Sequence, residues 1–74
     1  MPNRTETIET LNIMLGDIDH ATDERWAMVK RNEIQGAARM AHRLGLITMP
    51  DWKWYDDEAG RACQRRHTQL AFNR

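Results

Sequence analysis

A cysteine and a histidine four residues apart, Cys63 and His67, fall on one face of any helix drawn through them. That spacing supplies half of a structural zinc site, or the nucleophile and base of thiol catalysis. A structural zinc needs four ligands and a catalytic one three plus a water. The other histidines, His20 and His42, offer no second ligand at matched spacing. Thiol catalysis needs a third group to orient the base and donors for an oxyanion, and no glycine-rich turn adjoins Cys63. The pair therefore reads as a small, partly buried thiol beside a surface histidine. Acid–base work by Asp17 with Asp19, or by Asp56 with Asp57, fails on geometry, because helical residues one or two apart point away from each other. No catalytic, metal or cofactor site is expected, and the chain reads as a non-enzyme.

Binding chemistry has better support. The formal charge of zero hides a segregation. Residues 1–24 hold six acids and one base, and residues 25–49 hold five bases and one acid. Residues 50–58 turn acidic again and 59–74 basic. On a helix through the second segment, one face carries Arg25, Arg31, Asn32, Gln35, Arg39, His42 and Arg43 and no acid. Nine arginines against two lysines suit two-pronged recognition of carboxylate or phosphate. The blander reading is that the acids of the first segment neutralise this face from a neighbouring helix. A nucleic-acid target is the second reading, set against a pI of about 6.8 where such domains are usually strongly basic.

Alanine at 41 and glycine at 45, with leucine on either side of the glycine, match the tight turn of a helix-turn-helix. The segment that follows, Thr48 to Glu58, is acidic where a recognition helix would carry donors to bases. A helix-ending glycine explains the same residues. Ala37, Ala41 and Gly45 recur every four residues, which lets another helix approach closely, within the chain or from a second copy. Trp52 and Trp54, close together after Pro50, are of the type most enriched at interface centres. The residues expected to touch a partner are Arg25, Arg31, Gln35, Arg39, Arg43, Trp52 and Trp54.

Three elements must position them. Asn3 caps a first helix over 4–20, with Glu6 three residues on, and Ile8, Leu11, Met14, Leu15 and Ile18 form its apolar stripe. A second helix over 23–46 opens with Asp23 and Glu24 in its first turn. Trp26, Val29, Ile34, Ala37, Met40, Ala41 and Leu44 project onto its broad apolar face. Pro50 ends or interrupts it. A third helix over 54–70 buries Tyr55, Ala59, Ala62, Cys63 and Leu70 with Arg66 amid the stripe, and the chain frays beyond Leu70.

No stretch alternates as a strand would. The expected fold is one all-α domain over 1–74, a helical hairpin plus a third helix, with the central helix longest. One cysteine excludes an intrachain disulfide. The opening residues lack a signal peptide's apolar run, and no stretch is long enough to span a membrane, so the cytoplasm is the expected compartment. At 74 residues, apolar burial and the entropy of ordering nearly cancel. That balance, with Ile13 and Met28 stranded among charges, points to a homo-oligomer that binds an acidic protein surface, with nucleic acid as the alternative partner.

Overall fold

The computed structural model describes residues 3–72, and they form three helices: α1 (Arg4–Asp19), α2 (Glu24–Arg43) and α3 (Met49–Phe72). The all-α expectation is met. The length order is not: α3 has 24 residues and the central α2 has 20. Two local devices around the second turn account for the difference.

The first ends α2 at Arg43, earlier than its apolar periodicity suggests. Gly45 turns left-handed at φ 75°, which costs a glycine little and any β-carbon much more. Its N–H donates to the His42 carbonyl at 3.0 Å, and the Leu46 N–H donates to the Ala41 carbonyl at 2.9 Å. These two bonds make a Schellman stop.

The second device starts α3 five residues before the expected Trp54. Thr48 and Asp51 form a reciprocal capping box: the Asp51 N–H donates to Thr48 Oγ1 at 3.2 Å, and the Thr48 N–H donates to Asp51 Oδ2 at 3.1 Å. Pro50 then falls in the first turn, where its missing N–H has no partner to lose. The residue read as a helix stop therefore lies inside the start of the longest helix, and Trp52, expected before the helix, is helical. At the far end, α3 continues past Leu70 to Phe72.

The remaining caps are local. Asn3 accepts from the Glu6 N–H at 2.9 Å. Asp23 caps α2 from outside its first turn, accepting from the Trp26 N–H at 2.6 Å.

Contacts between helices fix the topology. Gln35 reaches Asp56, His42 stacks on Trp52 and His67 reaches Glu24, so α2 and α3 lie antiparallel along most of their length. This is a hairpin, not the crossed pair of a helix-turn-helix. Arg4 pairs with Asp51, Asn12 accepts from Tyr55, and Asp19 pairs with Arg65, so α1 runs parallel to α3. Arg66, predicted within the apolar stripe of α3, donates from Nε to the Ala21 carbonyl at 2.8 Å and secures the α1–α2 turn.

Among the described residues, six of the twelve buried core residues are alanine: Ala21, Ala27, Ala38, Ala41, Ala59 and Ala62. Leu11, Ile18, Ile34, Ile47, Tyr55 and Cys63 complete the core. The α3 stripe is largely as expected, with Leu70 only half-buried. The α2 face is not. Ala27, Ile34, Ala38 and Ala41 are buried, while Trp26, Val29, Met40 and Leu44 stay exposed. The seam toward α3 takes small residues because Ala59, Ala62 and Cys63 oppose it. The helix is thereby turned so that its bulky apolar side chains flank the core.

Replacing Thr48 by Ala removes one half of the box and should cost about 1 kcal/mol, a melting-temperature drop of roughly 4–8 °C followed by circular dichroism. An unchanged melting curve would show that α3 starts without this cap. The Arg4 guanidinium and then the Thr48 N–H hold the Asp51 carboxyl below its ordinary value. Its stabilising effect is thus fully present above the unfolded value of about 3.9 and is lost as pH falls through the lower folded value. The melting-temperature gap between wild type and Asp51→Asn should be constant from neutral pH down to about pH 5 and close below about pH 4. A gap that persists at the acid end would remove Asp51 ionisation as its cause.

Candidate functional site

The Cys63–His67 pair meets as predicted but is arranged for structure. His67 Nε2 lies 3.0 Å from the Glu24 carbonyl oxygen and 3.6 Å from Cys63 Sγ. A carbonyl can only accept, so Nε2 carries the proton and points it at Glu24. The same nitrogen then cannot take the thiol proton, and Cys63 is only 3% exposed. Among the described residues, no three His, Cys, Asp or Glu side chains are grouped to hold a metal ion.

Three of the seven predicted partner residues converge. A groove of about 300 Å³ between α2 and α3 is lined by Gln35, Gly36, Arg39, Trp52 and Asp56. Helix α2 supplies one wall and α3 the other. Gln35 Nε2 donates to the Asp56 carbonyl at 3.1 Å and bridges the walls. The Trp52 ring stacks on His42 with centroids 5.0 Å apart and 17° between planes, and Lys53 Nζ lies 6.0 Å from its centroid. Arg39 stands exposed on the rim, with Arg43 one turn further along.

The other residues are dispersed. Arg25 lies fourteen residues before Arg39, about 21 Å along the helix, beside Trp26, Val29, Thr22 and Asp23. Arg31 is half-buried and donates from Nε and Nη2 to Asn32 Oδ1 at 3.3 and 3.1 Å. Trp54 is separated from Trp52 by about 200° around α3. It is 50% exposed and meets Tyr55 edge-on. The two tryptophans belong to different surfaces.

Electrostatics separates the readings of the basic face. The acids of α1 lie on the neighbouring helix, yet among the described residues no ion pair joins α1 to α2. The cross-helix pairs go from α1 to α3, Arg4–Asp51 at 3.1 Å and Asp19–Arg65 at 3.8 Å. No acid among the described residues lies within salt-bridge distance of Arg25, Arg39 or Arg43. The expected neutralisation of that face by α1 does not occur.

Gly36 and Asp56 are the groove residues outside the predicted set. A helix beginning at Trp54 would place Asp56 in its first turn; with α3 beginning at Met49, Asp56 faces α2 one turn beyond Trp52. The Thr48-x-x-Asp51 spacing was the available signal. Comparison with family models, curated proteins and solved structures finds no match for this chain.

The division between the tryptophans has a measurable consequence. Trp52 is half-buried and packs on the core, and Trp54 does not. Trp52→Ala should cost on the order of 2 kcal/mol in a denaturant melt, while Trp54→Ala should stay within about 0.5 kcal/mol of wild type. Equal costs would place both rings in one environment and contradict this geometry.

Proposed function

We propose that the chain is a non-catalytic interaction protein that binds an acidic surface of a partner protein through the basic rim of α2 and the α2–α3 groove. The observation that carries this reading is the set of exposed arginines, Arg39 and Arg43 with Arg25 further along, that lack an acid partner among the described residues although an acidic helix lies alongside. An exposed guanidinium with no acid partner breaks no ion pair when it meets a carboxylate, and its cost is the side-chain freedom it gives up. A charge-assisted contact at such a site supports about 1.5–3 kcal/mol of binding. Next to them, the His42–Trp52 stack offers a preformed flat surface, and Gln35 and Asp56 add polar groups that fix register.

Nucleic acid is the second reading, since the same guanidinium groups suit phosphates. The composition of the groove disfavours it. Asp56 lines the groove opposite Arg39, and Asp57 follows it on α3. A phosphate track would run against the Asp56 carboxylate, whereas a protein surface of mixed sign could use Asp56 as an acceptor.

The test pairs a charge reversal with a salt titration. Arg39→Glu with Arg25→Glu should abolish capture of the partner from lysate while helicity is kept and stability stays within about 1 kcal/mol of wild type, as exposed unpaired charges allow. A pair silent for binding and costly for stability would make the face structural. Affinity for random duplex DNA that falls steeply with salt, and is lost in the same double variant, would transfer the site to nucleic acid.

A further inference from the structure

Helix α2 carries two apolar seams, and the bundle uses one. Ala27, Ile34, Ala38 and Ala41 face α1 and α3. Displaced around the helix is a second row: Trp26, Val29, Ala37, Met40 and Leu44, spaced three and four residues apart with Glu33 between, the spacing of a helix-packing stripe. This row looks outward on the side away from α3. The corresponding face of α1 carries Glu6, Thr10, Ile13 and Asp17 by the same projection. Five of the nine exposed large apolar side chains, Ile13, Trp26, Val29, Met40 and Leu44, therefore share one face of the α1–α2 layer. Ile13 and Leu44 are 68% and 67% exposed.

A groove runs between the two rows. It holds about 310 Å³, and its walls include Thr10 and Met14 of α1 with Met40 and Leu44 of α2, over a floor of Ala37 and Ala41. The five exposed side chains leave roughly 600 Å² in water, the upper end of the largest patch that monomers carry. It is also most of the ~800 Å² that each partner buries in a standard interface.

Charge selects the occupant. The acids Glu6, Glu9 and Asp17 of α1 have no ion-pair partner among the described residues, and neither has Arg43 at the end of α2. The face thus has an acidic row beside a row with a basic edge, and a foreign helix would have to match both. A second copy already does. We propose that this face is the contact of a homodimer whose two-fold axis runs along the helices, laying α1 of each copy over α2 of the other.

The arrangement is self-complementary, as a two-fold interface must be. Thr7 and Leu44 share one end of the groove, so α1 and α2 residues at this end stand at one height. In the dimer, Glu6 of one copy meets Arg43 of the other, twice. Ile13 enters the partner's groove above Ala37 and Met40. Trp26 and Val29, beyond the last turn of α1, close the far end against their own copies. The alternative two-fold, perpendicular to the helices, would set the Asp17 carboxylates of the two copies against each other.

Light scattering on the purified chain, with no other partner present, tests this independently of the acidic-surface reading. Wild type should give twice the 8.7 kDa chain mass at micromolar concentration. Met40→Asp should give the single mass. Thr10→Arg, at another exposed position on the groove wall, should do the same, and circular dichroism should show both still helical. Glu6→Arg and Arg43→Glu should each weaken dimerisation about tenfold, and their combination should restore it. A wild-type monomer mass throughout the micromolar range would overturn the proposal, as would a dimer that survives both Met40→Asp and Thr10→Arg. Failure of the combined reversal to restore dimerisation would overturn the axis and with it the assignment of the occupant.

Discussion

The carboxylate of Asp51 holds this fold in register. It accepts from the Thr48 N–H, which begins α3, and from Nε and Nη2 of Arg4, which ties the first residue of α1 to that beginning. Because α3 starts there, Trp52 falls under His42 and Asp56 falls opposite Gln35. Tyr55, the next turn in, is carried to Asn12, where its hydroxyl donates at 2.6 Å. Burial first, and Asp51 nearby, keep that hydroxyl above its ordinary pKa, so it remains a donor throughout the physiological range. The α2–α3 groove and the parallel seating of α1 both follow from one helix start.

The helices also sort the charge. Cross-helix pairing goes to the α1–α3 edge, where Arg4 meets Asp51 and Arg65 meets Asp19. The α1–α2 edge has no such pair among the described residues, and acids and arginines there remain free to act outward. A chain whose formal charges cancel therefore presents surfaces of opposite sign. Surface fields of this kind steer partners and set orientation more than they stabilise a fold. In the readings given above, the α2–α3 side faces another molecule and the α1–α2 side faces a second copy. A dimer would then offer its basic grooves in pairs.

Local chemistry was the most legible part of the sequence. The Asn3 cap depends on a side chain and an amide three residues away, and it stands where the residues put it. The stripe of Tyr55, Ala59, Ala62 and Cys63 was readable because helical spacing alone decides it. Misreadings arose where position within an element changes what a residue means. Pro50 breaks a helix interior but is harmless in a first turn, and only the Thr48–Asp51 pair tells which applies. On α2, periodicity treats Trp26, Met40 and the alanines as one apolar class. Packing against Ala59 and Ala62 separates them by size. Trp52 and Trp54 are neighbours in sequence, but two residues on a helix point to different sides, so they belong to different surfaces. Arg39, Gln35 and Trp52 could be anticipated as candidates, but Asp56 opposite them could not, because it depends on where α3 begins.

The alanine content of the core has a thermodynamic consequence. Methyl groups bring little apolar area into the interior, so unfolding this chain exposes less of it than unfolding a leucine-rich bundle of equal length. The heat capacity of unfolding follows exposed apolar area and for typical domains is about 12–15 cal/mol/K per residue. A core half made of alanine lies toward the low side of that scale. The stability curve is correspondingly shallow: stability changes slowly on either side of its maximum, in the cold as well as in the heat.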